Sequence, residues 1–258
     1  MVVATPIGNL EDLSPRALRT LAEADLVVCE DTRRTRALLS SAGVAAPPLI
    51  TANDHTEAAQ TDTMLEHLGR GEVVALVSDA GMPGISDPGQ QLVEAASTAG
   101  FGVQVVPGPS AAISALVVSG LATGRFVFEG FLPRRGSGRT ERLAMLATEQ
   151  RTTILYEAPH RVARTLIDLT AAFGDERRVA VCRELTKLYE ETWRGTLGES
   201  LRHIEQRPPR GEYVVVVEGA APPIVVDDEA LRTALAHLLK EGVSTRDAVA
   251  EVAGTYDA

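Results

Sequence analysis

Two segments carry residue types that can hold a small ligand through its polar atoms: VVALVSDAGMPGISDPG over 73–89 and VVPGPSAA over 105–112. Each leaves an apolar run and enters glycines, prolines and small polar residues before a helical pattern begins. Such turns let backbone N–H and C=O groups approach a ligand closely, because no bulky side chain intervenes. Open α/β sheets bind ligands beyond the carboxyl ends of their strands, so these turns predict a crevice there, sized for a compact nucleoside. The sequence does not favour a pyrophosphate-gripping Rossmann loop, a P-loop or a serine nucleophile elbow. The first turn offers only Gly8 rather than G-x-G-x-x-G, and the chain has no G-x-x-x-x-G-K-[ST] and no G-x-S-x-G.

The elements that must position these turns follow from periodicity. Val73 to Val77 is a continuous apolar run, as in a strand buried on both faces. Asp87-Pro88 is expected to give the next helix its N-cap and first residue, and Ser110 to cap the following one. Upstream, VVAT is a strand, Ser14-Pro15 opens a helix with Leu18 and Leu21 on one face, LVVC over 26–29 is a second strand, and Leu49–Thr51 is a third. Strands alternating with helices to about residue 122 predict a parallel α/β domain. Past Phe126, the strand patterns TTILYE, RVAVCRE, ETWRGTL and EYVVVVEG include consecutive strands, which predicts a mixed sheet. The expected organisation is α/β with three parts: a parallel N-terminal domain over 1–125, a mixed C-terminal domain over 126–221 and a short helical appendage over 222–258. The appendage reads either as the start of a helix-turn-helix or as a packing hairpin.

Composition narrows the function. With 258 residues and 45% hydrophobic content, the chain can build substantial cores. No apolar stretch has the length of a membrane helix and no export signal is recognisable, so a cytoplasmic address without a membrane partner is expected. Cys29 and Cys182 sit in apolar strand patterns and read as reduced core residues, and no metal-ligand spacing occurs among five histidines and two cysteines. A net charge of −10 argues against a general grip on nucleic acid, DNA included. Two local basic clusters run against it: Arg33, Arg34 and Arg36, and Arg134, Arg135, Arg139 and Arg142. They read either as phosphate grips or as solvated surface arginines.

Seven segments in order carry a resemblance: TPIGNLEDLSPRAL, CEDTRRTRALL, VALVSDAGMPGISDPG, VPGPSAAISAL, FEGFLPR, YEAPHR and RELTK. Together they resemble the tetrapyrrole-methylase superfamily from Thr5 to about Gly219, and within it the branch that modifies small-subunit ribosomal RNA. The resemblance implies that superfamily's two-domain fold, with S-adenosylmethionine as cofactor in a cleft between two α/β domains, and a homodimer. It implies methylation of the ribose 2′-hydroxyl of a cytidine in 16S ribosomal RNA, on the assembled 30S particle. Carried over by position, the cofactor contacts would be Pro6, Ile7 and Gly8; Ser78, Asp79, Ala80, Gly81, Met82 and Pro83; Ser110 and Ala111; and Tyr156, Glu157, Arg183, Glu184 and Leu185. His55, in NDHTE, stands where relatives have a longer His-rich motif. The segment from Pro222 matches the family's helical appendage in part.

That chemistry asks for a proton acceptor near a ribose hydroxyl, which is a poor nucleophile at neutral pH. The candidates are Glu30, Asp31, His55, Asp79 and Glu157. The Glu30-Asp31 pair follows a strand end and is the first choice for catalysis. Its alternative role is to cap the next helix and pair with Arg33 or Arg34. An RNA substrate would present a splayed-out nucleotide, with Arg33, Arg34, Arg36, Arg134, Arg135 and Arg139 on its phosphates. Two other functions fit the superfamily: methylation of a tetrapyrrole or of a modified histidine, and a non-catalytic ribosome-binding role.

Overall fold

A computed structural model describes residues 1–53, 56–206, 208–222 and 228–256. The chain divides into two compact units, Met1–Ala220 and Ala221–Ala258. The first unit contains two five-stranded sheets.

The first sheet is parallel and is built from β1 (Val2–Val3), β2 (Leu26–Cys29), β3 (Leu49–Thr51), β4 (Val74–Leu76) and β5 (Val105–Val106), in the order β3-β2-β4-β1-β5. Its strands obey a period of two. Val3, Val27, Cys29, Ala75 and Val77 face helices α1 (Pro15–Glu23) and α2 (Thr32–Ser41), packing on Ala17, Leu21 and Leu39. Leu26, Val28, Val74 and Leu76 face α3 (Glu57–Gly69) and α4 (Gln90–Thr98), packing on Met64, Leu92 and Ala96. Both faces are covered, which is why β2 is apolar throughout. Each fully buried leucine among these contributes about 1.5–3 kcal/mol.

The second sheet is mixed, with order β6-β7-β10-β8-β9, from β6 (Phe126–Phe131), β7 (Thr152–Glu157), β8 (Arg178–Arg183), β9 (Glu191–Thr196) and β10 (Tyr213–Val217). Only β6 and β7 run parallel; the remaining pairs are antiparallel. One face, with Leu155, Val181 and Val215, packs on α6 (Ser137–Ala147), α7 (Pro159–Phe173) and α8 (Leu197–Glu205). The opposite face, with Ile154, Ala180, Cys182, Val214 and Val216, receives α5 (Ala111–Ser119), the helix that leaves the first sheet. This accounts for the buried Ala112, Ala115 and Leu116 of α5, whereas Ile113 and Val117 are exposed. The second unit holds α9 (Asp228–Lys240) and α10 (Thr245–Tyr256), with Gly242 at φ 86° between them and the Ser244 hydroxyl accepting from the Asp247 amide.

Two caps differ from expectation. Ser14 caps α1 as its sequence indicates, accepting from the Ala17 amide. Asp87-Pro88, however, does not open α4: that helix starts at Gln90, with Gly89 at the cap position. Its free amides are satisfied by a distant residue, Glu57, whose Oε1 accepts from Gly89, Gln91 and Leu92 at 2.9, 2.9 and 3.2 Å. Ser110 occupies the cap position of α5 but makes no capping hydrogen bond.

Candidate functional site

Strand β1 lies between β4 and β5, although the chain passes from β1 to β2 and β3 first. That reversal of order brings the turns after β1, β4 and β5 side by side at the carboxyl edge, where open α/β sheets hold ligands. The turns are locked together. Thr5 and Gly81 exchange backbone hydrogen bonds at 2.9 and 3.1 Å, and the Thr5 hydroxyl donates to the Ser78 carbonyl. Gly81 adopts φ 85°, and a Cβ there would stand 3.2 Å from Ile7.

Between this edge and the second sheet lies a cavity of about 290 Å³. The first sheet's turns contribute Ile7, Ala80, Gly81, Met82, Ile85, Ser86 and Asp87, with Ser110 and Ala111 at the start of α5. The second sheet contributes Phe131, Tyr156, Glu157, Ala158, Pro159, Cys182, Leu185, Glu212, Tyr213 and Val214. Among these lining residues there are three carboxylates and no lysine, arginine or histidine.

Tyr156 is wedged between Phe128 and Phe131 in edge-on contacts, with centroids 4.9 and 5.8 Å apart, and its hydroxyl accepts from the Ala112 amide. Burial pushes its pKa up, and burial does the same to the Cys182 thiol. Glu157 is 2% exposed and held on three sides: by the Thr165 hydroxyl at 2.6 Å, the Ala158 amide at 2.9 Å and the Arg161 guanidinium at 3.2 Å. Leu185 is flanked by Glu184 and Thr186, both at positive φ (51° and 66°), a conformation unusual for residues with side chains. Lys187 braces this loop, with its ammonium 2.9 Å from Glu184 and 2.8 Å from Glu212. Burial opposes the charge on both Lys187 and Glu184. Their mutual hydrogen bond, with the Glu212 contacts, outweighs it, so the lysine pKa moves up and the Glu184 pKa down.

Of the sequence-derived contacts, Ile7, Ala80, Gly81, Met82, Ser110, Ala111, Tyr156, Glu157 and Leu185 line the cavity. Ser78, Asp79, Gly8 and Glu184 do not line it; the Ser78 hydroxyl donates to the carbonyl of the lining residue Gly81 at 3.3 Å. Gly8 is packed against the 185–187 loop: a Cβ there would fall on Lys187 Cγ and 2.8 Å from Thr186 Oγ1. Arg183 donates to the Arg210 carbonyl at 2.9 Å; Pro6 and Pro83 flank lining residues without joining them. The lining residues missed were Ile85, Ser86, Asp87, Phe131, Ala158, Pro159, Cys182, Glu212, Tyr213 and Val214. Phe131 and Asp87 sit inside motifs already singled out. Cys182 and Val214 are visible only as alternate positions along strands, a signal that does not separate a cavity wall from a core.

Asp31 fills both sides of its alternative role. It caps α2 by accepting from the Arg33 amide at 2.8 Å and pairs with the Arg33 guanidinium at 2.7 Å, which holds its pKa far below the usual carboxylate range. Asp79 accepts from the Asp31 amide and pairs with Arg34, both at 3.2 Å; burial nevertheless raises its pKa. Glu30 lies between β2 and this cap, half-buried. His55 lies outside the described residues. Arg33, Arg34, Arg36, Arg134 and Arg135 are exposed. Arg139 requires a correction. It is 8% exposed, and its guanidinium is engaged by Asp168 at 2.8 Å, by Thr165 at 2.9 Å and by the Pro133 carbonyl at 2.9 Å, so it is a structural residue rather than a phosphate contact.

Comparison with known proteins agrees with this architecture. Residues 1–201 match the family model described as Tetrapyrrole (Corrin/Porphyrin) Methylases. The chain is 47% identical over 254 residues to a Synechocystis protein named Ribosomal RNA small subunit methyltransferase I, covering 98% of this chain and 91% of that one. It is 50% identical over 222 residues to the protein of the same name from Xylella fastidiosa, covering 85% and 81%. Among solved structures, cobalt precorrin-4 methyltransferase superposes with a TM-score of 0.60 at 16% identity, covering 84% of this chain and 93% of that one; this likeness bears on the fold alone.

Proposed function

Because this chain belongs to the tetrapyrrole (corrin/porphyrin) methylases and groups there with the ribosomal RNA small subunit methyltransferase I proteins, we propose that it methylates small-subunit ribosomal RNA. In this reading S-adenosylmethionine is the donor and the ribose 2′-hydroxyl of a cytidine in 16S RNA the acceptor, on the assembled 30S particle. The observation that carries it is the cavity, with apolar walls, three carboxylates and no cationic side chain in its lining. Its volume lies near the lower end of the roughly 300–1,000 Å³ common for small-molecule sites. Such a lining suits a ligand that has a flat apolar ring and polar groups within reach of backbone atoms. Bound there, S-adenosylmethionine would supply an electrophilic methyl group on a cationic sulfur.

The chain's own residues supply position and exclusion of water. Ile7, Met82, Leu185 and Val214 offer apolar surface to a ring, and the turns at Ala80 and Gly81 offer backbone polar groups. Holding donor and acceptor in line removes much of the entropic barrier to transfer. Asp31, kept ionised by Arg33, is a weak proton acceptor, and Glu157 is enclosed by its partners. Glu30, which follows directly on β2, and His55 are the residues proposed for the hydroxyl proton, with Asp31 and Asp79 orienting the start of α2. The exposed Arg33, Arg34, Arg36, Arg134 and Arg135 are proposed to meet RNA phosphates. With a net charge of −10, the fit to an assembled particle supplies affinity that charge alone does not.

We also propose a cytoplasmic homodimer; among the described residues no helix is long and apolar enough to cross a membrane. The test is transfer of labelled methyl from S-adenosylmethionine to small ribosomal subunits lacking the modification, followed by nuclease digestion. Labelled 2′-O-methylcytidine is the expected product. Binding of the donor without transfer would redirect the search to a tetrapyrrole or protein acceptor.

A further inference from the structure

We infer that Glu57 is a positioning residue for the cavity: its buried carboxylate fixes the wall formed by Ile85, Ser86 and Asp87. The inference rests on the reading of the cavity as a cofactor site. Glu57 opens α3, on the face of the first sheet also covered by α4, and is 6% exposed. Its Oε1 receives the amides of Gly89, Gln91 and Leu92, and no side chain local to α4 performs that task. Gly89, at the helix start, has φ 129°, and a Cβ there would stand 2.9 Å from Leu76 Cδ2, so the position excludes a residue with a capping side chain. The acceptor must come from elsewhere in the chain. Glu57 is well suited, because a carboxylate both satisfies several orphan amides and complements the positive end of the helix.

The consequence reaches the cavity through a short span. The Gly84 amide donates to the Pro88 carbonyl at 3.1 Å, closing 84–88 into a compact loop whose carboxyl end is the amide group held by Glu57. Ser86 is at φ 60° inside that loop. On the far side, Gly130 of β6 leaves no room for a Cβ against the Ser86 hydroxyl. The loop is thus pinned at its exit by Glu57 and packed at its tip against the second sheet. Ile85, Ser86 and Asp87 between these points line the cavity. Glu57 does not line it, so any effect on ligand binding passes through the loop.

The experiment compares the full-length wild type with Glu57→Ala, Glu57→Asp and Glu57→Gln. Calorimetric titration with S-adenosylmethionine is run well below the melting temperature, alongside amide hydrogen exchange without ligand. The aspartate keeps the charge but falls one methylene short of the three amides, whereas the glutamine keeps an acceptor oxygen at full reach. Expected are a Kd raised about tenfold in the alanine and aspartate variants, near-wild-type affinity in the glutamine variant, and faster exchange at Gly89, Gln91 and Leu92 only in the first two. If the alanine variant fails to fold, the aspartate and glutamine pair decides. Wild-type affinity in a folded aspartate or alanine variant would overturn the inference, as would unchanged exchange at the three amides. Failure of the wild type to bind S-adenosylmethionine would instead sink the cofactor reading and leave the exchange result to judge Glu57 alone.

Discussion

The Tyr156 hydroxyl accepts a hydrogen bond from the Ala112 amide at 3.2 Å, which fixes β7 of the second sheet to the first turn of the helix leaving the first sheet. Ala112 is buried, and Ser110 makes no capping bond at that helix start. Tyr156→Phe therefore leaves an amide without a partner and should destabilise the protein by about 1–3 kcal/mol, read from urea unfolding midpoints. The same variant should bind S-adenosylmethionine more weakly. An unchanged midpoint would show that the amide is satisfied without the tyrosine.

Gly8→Ala tests the contact between the turn after β1 and the loop after β8. The added methyl meets Lys187 Cγ, Thr186 Oγ1 and the Leu185 carbonyl, and the Asn9 amide bonded to Thr186 at 3.1 Å limits how far the turn can retreat. Overpacking of this kind costs about 1–3 kcal/mol. The expected result is a lower melting temperature together with weaker ligand binding, because Leu185 belongs to the displaced loop. Loss of neither would mean that the lysine stem swings aside.

Arginines in one basic segment should separate by role. Arg139→Ala removes one partner of an ion pair whose side chains are 9% and 15% exposed, leaving Asp168, among the described residues, with the exposed Arg164; the cost is about 3–5 kcal/mol by denaturant unfolding. Arg134→Ala and Arg135→Ala should leave the unfolding midpoint within about 0.5 kcal/mol of wild type, as exposed surface changes do. Under the proposed function, these two variants lower methylation of small subunits with a reduced salt dependence. Equal stability losses at all three positions would contradict the burial difference.

Glu149 gives a pH dependence with a definite sign. The Arg151 guanidinium and amide hold its carboxyl at about 2, below its ordinary 4.5. A depressed carboxylate pKa means that the folded state releases the proton more readily than the unfolded chain. The stability it contributes is complete above about pH 4.5 and disappears as pH falls toward 2. Glu149→Gln should therefore flatten the acid side of the melting temperature profile in that window. The wild-type carboxyl should titrate near the low value by NMR, and titration at an ordinary carboxylate pKa would refute the assignment.

Much of the architecture was legible in local pattern. The period of two that places Val27 and Cys29 on one face and Leu26 and Val28 on the other is a property of adjacent residues, and so is the Ser14-Pro15 helix start. The Gly/Pro turns near Gly81 and Ser110 also announced themselves, because small residues after an apolar strand leave backbone groups open to a ligand. Family motifs extended that reading to Tyr156, Glu157 and Leu185 on the second sheet, which local pattern alone does not connect to the first. What only the tertiary structure decided are relations between residues distant in the chain. Glu57 caps a helix 32 residues onward, Arg139 turns inward to an aspartate 29 residues away, and Gly8 meets a loop nearly 180 residues later. The physical reason is that side-chain period and turn chemistry act over a few residues. The partner of a buried charge, or the space around a glycine, is fixed only when sheets and helices pack.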